Sequence, residues 1–378
     1  METVKILHCA DVHIGAAESF LGVLSKSRRA ETLITFEKII SLAKDEGVRI
    51  LLIAGDLFDS NNIEEEVALR VIECFKSIPQ IHIVYCAGNH DPLNLNSPFA
   101  KYNNILPENF HILPCFDSVV DIADLGVKVY GRSFDEVYTK SASSFSVAPD
   151  ENSINIMCIH GDLGASADTK YNPISSDFIA NSGMDYIALG HIHKRSEIAR
   201  IGSTFYAYSG CPEGQGFDEE GEKGVYIGEV SRNFCDLKFI PTAKRIHATV
   251  KVNLEGEETN EQIAAKILSQ LKEDFGNSYS ENLYKIILEG KIDEGVKISP
   301  EEICSRISAE VYFVKIRDNT EFALDLESLS KEEGLKGIFV RNMLSRMEKA
   351  SEEELKIIKK ALNLGIKAFS AEVDYNED

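Results

Sequence analysis

The sequence predicts an α/β protein: a mixed two-sheet sandwich with helices on its outer faces, then a small α+β domain and a helical tail. Three observations lead there. Short β-branched apolar runs alternate with helical patterns as far as Ala87, the pattern turns strand-rich past residue 115, and the register changes around Pro241-Thr242-Ala243-Lys244. At 378 residues the chain is also long for one domain, since a domain usually takes about 100–200 residues.

Val4–Ala10, Ile50–Ala54 and Ile81–Ala87 are continuous apolar runs of the kind that form strands buried on both faces. Between them, Arg29–Glu46 and Glu64–Ser77 carry apolar residues at helical spacing, among them Leu33, Phe36, Ile40, Val67, Val71 and Phe75. A β-α-β-α-β start of this kind implies a parallel sheet covered by helices. Strands are then expected at 118–122, 127–131, 154–160, 185–189, 197–200, 204–208, 224–230 and 234–240. After the break come a strand (Ala248–Leu254), a helix (Asn260–Phe275), a strand (Leu283–Glu289), a short helix opened by Ser299-Pro300, and a strand (Val311–Ile316). The stretch 325–367 is helical and amphipathic, and Ser351 followed by three glutamates is a capping-box start for its last helix. A tail this apolar must pack on something, either its own chain or a partner.

Composition narrows the class. Hydrophobic residues make up 44% and charged residues 27%, as in ordinary soluble globular proteins. No apolar stretch is long enough to span a bilayer, and the N-terminus has no signal-peptide pattern, so a cytoplasmic protein with no membrane association is expected. The eight cysteines are scattered without a Cys-x-x-Cys pair, which argues for reduced core thiols. The net charge of −21 repels polyanions. A nucleic-acid substrate would therefore need bound metal ions, a local basic patch or a partner subunit.

Five short patterns sit at strand ends: Asp11-Val12-His13, Gly55-Asp56-Leu57-Phe58-Asp59, Gly88-Asn89-His90-Asp91, Ile159-His160-Gly161 and Gly190-His191-Ile192-His193. Parallel sheets gather such loops along one edge, where ligands bind. Two aspartates, an asparagine and four histidines are thereby brought together. Imidazole with carboxylate suits Mn²⁺ first, with Fe²⁺ or Zn²⁺ as alternatives, rather than Mg²⁺ or Ca²⁺. Two divalent ions about 3.5–4 Å apart need a bridging anion, and Asp56 is the natural bridge. His90 is placed to protonate a leaving alkoxide. His8, His82, His111 and His247 fit no pattern and are read as structural or exposed.

The order of these motifs resembles that of the calcineurin-like metallophosphoesterases. The opening Ile6-Leu7-His8-Cys9-Ala10-Asp11-Val12-His13-Ile14-Gly15 looks most like the SbcD/YhaO-type bacterial DNA repair exonucleases, and so do Ser209-Gly210-Cys211-Pro212, Gly216-Phe217-Asp218-Glu219 and Glu222-Lys223-Gly224. The resemblance covers residues 3–240, and the rest by architecture alone. It implies a four-layer αββα metallophosphoesterase sandwich over 1–245, a small α+β capping and DNA-positioning domain over 246–320, and an ATPase-partner-binding helical segment over 321–378. One metal ion would take Asp11, His13, Asp56 and His193, and the other Asp56, Asn89, His160 and His191. His90 would be the general acid, held by Asp59. Archaeal and eukaryotic relatives look to have a second histidine at the Asp59 position, which puts that histidine's part in DNA handling in doubt here.

The activity so implied is hydrolysis of DNA phosphodiesters, as exonuclease with endonuclease as a further capacity, by a hydroxide bridging two ions. The implied partner is an SMC-like ATPase of the SbcC/YhaN type, which could supply the basic surface this chain lacks; relatives also suggest a homodimer. Two other readings stay open. A phosphatase or a small-molecule or cyclic-nucleotide phosphodiesterase keeps the chemistry and suits the acidity. A non-catalytic scaffold subunit would have a vestigial site, but the ligand set is complete.

Overall fold

The computed structural model describes residues 2–138, 145–164, 169–293, 295–323 and 325–369. It divides into two compact units, Met1–Ala248 and Thr249–Asp378. In the first unit the chain runs through β1 (Val4–Cys9), α1 (Ser25–Asp45), β2 (Ile50–Ala54), α2 (Glu65–Lys76), β3 (His82–Cys86), α3 (Pro98–Lys101) and β4 (Phe110–Ile112). It continues through β5 (Ser118–Ile122), β6 (Val127–Gly131), β7 (Ile154–His160), β8 (Asp162–Leu163), β9 (Pro173–Ile174), α4 (Ser176–Asn181) and β10 (Tyr186–Gly190). The hairpins β11 (Ala199–Ile201) with β12 (Thr204–Tyr208), and β13 (Gly224–Ser231) with β14 (Phe234–Pro241), complete it.

These strands form two six-stranded sheets, ordered β14-β13-β1-β2-β3-β4 and β11-β12-β10-β7-β6-β5. β1 to β4 are parallel, as are β6, β7, β10 and β12; antiparallel strands lie at the margins. Side chains alternate across a strand, so each apolar run feeds two cores at once. In β2, Leu51 and Ile53 pack under α1 and α2 with Phe36 and Phe75, while Ile50, Leu52 and Ala54 face the second sheet. In β10, Tyr186 and Ala188 meet the first sheet, and Ile187 and Leu189 pack with Ile179 of α4. The result is the αββα layering, and it explains why strands such as β2 and β10 are buried at every position. The short elements were not legible in the sequence, among them the three-residue β4, the two-residue strands β8 and β9, and the helices α3 and α4. Each is too short to show a period.

The second unit is built on a sheet ordered β15 (His247–Leu254), β16 (Leu283–Ile292), β17 (Phe313–Asp318), with β18 (Glu321–Phe322) also paired to β16. α5 (Asn260–Phe275) starts in a full capping box between Thr259 and Gln262, and α6 (Pro300–Ile307) is capped by Ser299. The tail forms α7 (Leu326–Lys331), α8 (Leu335–Met347) and α9 (Glu352–Phe369). Ser351 and Glu354 make the reciprocal bonds of a capping box at α9. This helix packs on its own unit. Leu362 and Ile366 are buried, and Asn363 accepts from Phe322 N (3.1 Å) and donates to Thr320 O (3.1 Å). Leu335, Ile338, Ile357 and Leu364 nevertheless stay exposed. Residues 370–378 of the segment read as partner-binding lie outside the described residues. Among the described residues no helix is long and apolar enough to cross a membrane.

Candidate metal centre

Five strands deliver the site: β1, β2, β3, β7 and β10 end at Cys9, Ala54, Cys86, His160 and Gly190, immediately before or at the predicted motifs. The first two loops are zipped together. Asp11 N donates to Gly55 O (3.0 Å), His13 N to Asp56 O (3.0 Å) and Ile14 N to Leu57 O (2.9 Å). In these paired backbones Asp11, His13 and Asp56 take positive φ of 52°, 49° and 50°, and His191, in the loop after β10, takes 104°. Such conformations cost about 1–3 kcal/mol each in non-glycine residues and concentrate at functional sites. Two glycines make room. A Cβ on Gly88 would sit 2.1 Å from Asp56 Oδ1, and one on Gly55, at φ +91°, 2.2 Å from His160 Nδ1.

Among the described residues donor atoms converge in four overlapping sets: Asp11, His13 and His193; Asp11, Asp56 and His160; His13, Asp56 and His90; and His193, Cys211 and Glu219. His13 Nε2 and His193 Nε2 lie 3.1 Å apart. Asp56 Oδ2 stands 3.3 Å from His160 Nε2 and 3.8 Å from His13 Nε2, between the two imidazoles. Asn89 Oδ1 lies 3.0 Å from His160 Nε2. His191 enters differently: its backbone N–H donates to Asp11 Oδ1 (2.9 Å), and its ring meets that of His160 at 5.2 Å. Asp11, His13, Asp56, Asn89 and His160 are buried.

His90 and Asp59 stand beside this cluster. His90 is half exposed, and its Nδ1 donates to the backbone carbonyl of Asp59 (3.1 Å). The Asp59 carboxylate is 3.8 Å from His90 Nδ1 and nearer, at 3.4 Å, to His13 Nδ1. The expected contact with His90 is thus made mainly by the main chain. His8 and His247 are buried structural histidines, bonded to Tyr186 and to Glu18.

The donors fit divalent ions. A ligating imidazole needs its second nitrogen fixed by an acceptor so that Nε2 faces the ion. His160 Nδ1 donates to Ala54 O (3.0 Å), and His193 Nδ1 to the Glu219 carboxylate. Glu219 is a residue that motif reading missed. It also accepts from Gln215 N (2.8 Å), and Cys211 Sγ lies 3.4 Å from it. The loop bearing it is anchored by Arg28, which is buried and donates to Glu18, Glu31, Glu213 and the Gly214 carbonyl. Asp91 was also passed over. Its buried carboxylate accepts from Leu57 N, Phe58 N and Gly88 N, tying the second loop to the third.

Without ions, protons hold this cluster together. Burial alone would lower His160, but Asp56 beside it raises the imidazole to about 9. Burial likewise opposes His193, and its bond to Glu219 lifts it to about 9. Burial, reinforced by His160, pulls His191 down to about 4. Groups raised above their unfolded value of 6.5 stabilise the fold fully below that pH and cease to do so as pH rises through 9. The metal-free protein should therefore melt at progressively lower temperature from pH 6.5 to 9. Stabilisation by added Mn²⁺ should grow over the same window, because ligand nitrogens must shed protons to bind. Differential scanning fluorimetry with and without chelator reads both trends, and Glu219→Gln should shrink the His193 share of each.

Comparison with known proteins gives one family. The profile described as calcineurin-like phosphoesterase matches residues 4–195. Among curated relatives, an uncharacterized metallophosphoesterase, YhaO of Bacillus subtilis, is 28% identical over 254 residues, covering 62% of this chain and 60% of YhaO. The DNA double-strand break repair protein Mre11 of Saccharolobus solfataricus is 25% identical over 372 residues, covering 94% of this chain and 93% of that protein. The Mre11 of Sulfurisphaera tokodaii is 27% identical over 396 residues, with 96% and 94% covered.

Proposed function

We propose that this chain, which belongs to the calcineurin-like phosphoesterase family, is a cytoplasmic DNA phosphodiesterase, an exonuclease with endonuclease capacity that works with two Mn²⁺ ions. The observation that carries the reading is the convergence of His13 and His193 on one side of Asp56 and of Asn89 and His160 on the other, with Asp11 within reach of both groups. Asp11, His13, Asp56 and His193 would hold one ion, and Asp56, Asn89, His160 and His191 the second. When bound, such a pair polarises a phosphoryl group and makes a water nucleophilic near neutral pH.

The chain's own residues then have separate tasks. Asp56 joins the two halves and, by accepting from His90 N (2.8 Å), fixes the loop that presents the acid. His90, with Nδ1 committed to the Asp59 carbonyl, keeps Nε2 free to pass a proton to the leaving oxygen as the P–O bond breaks. Glu219 holds His193 in the tautomer that points Nε2 inward. Long alignments with proteins named for DNA double-strand break repair support DNA as the substrate. The net charge of −21 favours the competing reading, a small phosphodiester. A cleavage assay in Mn²⁺ comparing duplex DNA, single strands and a small diester separates them. Turnover confined to the small diester, even with an ATPase partner present, would establish the second reading.

For the partner, residues 246–320 are proposed to cap and position DNA, and the tail to bind an SMC-like ATPase of the SbcC/YhaN type. Ile357 and Leu364 lie two turns apart on one face of α9 and are 69% and 46% exposed. Their double replacement by glutamate spares the Asn363 clamp and the buried Leu362 and Ile366. It should abolish co-purification with the ATPase while leaving small-diester turnover intact; an intact complex would sink the assignment. The same complexes, run on a sizing column, would test the homodimer.

A further inference from the structure

A line of rings leaves the metal cluster and ends in solvent. His191, against His160, is faced by Tyr171 with centroids 4.9 Å apart and a 31° tilt. Tyr138 follows, 5.7 Å from Tyr171 with the two rings tilted by 54°, and the Lys170 ammonium sits 5.0 Å above the Tyr138 ring. Tyr138 is 54% exposed. The inner end of the line is fixed in place. Asp162 N donates to Tyr171 O (3.1 Å). The next residue, Asn172, stands at φ +47° and donates from Nδ2 to His160 O (2.8 Å). Tyr171 is therefore one residue from a clamp on the strand end that carries a candidate metal ligand.

We infer that the exposed ring of Tyr138, linked to the metal cluster through Tyr171, is a stacking platform for an unpaired base of a nucleic-acid strand whose phosphate lies at that cluster. The inference rests on the DNA reading above and specifies which form of DNA the site engages. A chain of net charge −21 gains little from long-range attraction to a polyanion. Stacking adds attraction that does not depend on net charge, because every base has a π-face. Lys170 is suited to the same task. A base arriving on Tyr138 displaces the ammonium from the ring and leaves it beside the strand, where it can pair with the next phosphate. Duplex bases are already stacked and paired, so the platform selects single strands or frayed ends.

The test uses the full chain in Mn²⁺ with single-stranded oligonucleotides, either intact or abasic through the three terminal nucleotides. Tyr138→Leu should raise KM for the intact strand about tenfold, the equivalent of ~1.4 kcal/mol, with kcat little altered. For wild type, the abasic strand should show the same rise. Tyr138→Leu should add nothing further on that strand, and Tyr138→Trp should return the intact-strand KM to the wild-type value. A wild-type KM for Tyr138→Leu on the intact strand overturns the platform, as does an equal rise on both strands. A wild type that hydrolyses a small dialkyl diester but no strand overturns the DNA reading itself, and the platform with it.

Discussion

Asp56→Ala is expected to eliminate both metal binding and turnover, leaving activity no higher than that of chelator-treated wild type. Asp56 stands between His13 and His160, with Oδ1 taken by the His90 amide and Oδ2 facing both imidazoles. It is almost fully buried, and the histidines around it hold its carboxyl below the ordinary carboxylate range even though burial opposes this. Two like charges brought close in a buried site repel strongly unless an anion lies between them. Removing this carboxylate should weaken both ions at once, whereas removing Asn89 should weaken one. Metal analysis after dialysis decides the matter: a stoichiometry near zero for Asp56→Ala, against partial retention for Asn89→Ala. Asp56→Asn keeps the shape and the His90 contact but loses the charge, so it should fail as fully as alanine does. If asparagine restored metal, Asp56 would be a structural hydrogen-bond acceptor and not a bridge.

Much of this site was legible because its motifs follow apolar strands, and a parallel sheet sends the loops after its strands to one edge. Gly-Asp, Gly-Asn-His and Gly-His each place a glycine where a Cβ would not fit: Gly55 against the His160 side chain, Gly88 against Asp56 and Gly190 against the Ala54 carbonyl. Glu219 was not legible as a site residue. It lies within Asp218-Glu219-Glu220-Gly221-Glu222, where nothing in the sequence marks which acid turns inward, and its partner His193 is 26 residues away. Asp91 stood inside a recognised motif, yet its role is to tie backbone amides, a task that leaves no trace in residue type. Asp59 was expected to hold His90, and its carbonyl accepts from that ring while its carboxylate sits closer to His13, a division that residue type does not reveal. Tyr138 and Tyr171 are 33 positions apart, on loops of the same sheet edge, and only the fold makes them neighbours.

His90→Ala should behave in the opposite way to Asp56→Ala, retaining both ions while losing turnover. The His90 ring is absent from the shared donors of Asp11, His13 and His193 and from those of Asp11, Asp56 and His160. It does come within ligand reach of His13 and Asp56 in a third grouping. Metal stoichiometry therefore has to be measured alongside rate. A positioned general acid contributes about 10²–10⁴-fold, so a loss of that size on DNA is expected, where the leaving group is a poorly acidic sugar alkoxide. A nitrophenolate leaving group needs no proton, so the same variant should lose far less on a nitrophenyl diester. That leaving-group contrast distinguishes a proton donor from a residue that only shapes the loop, since loop distortion would slow both substrates alike. Cleavage of DNA by His90→Ala at the wild-type rate would remove the acid role, and a loss of metal in this variant would move His90 into the cage.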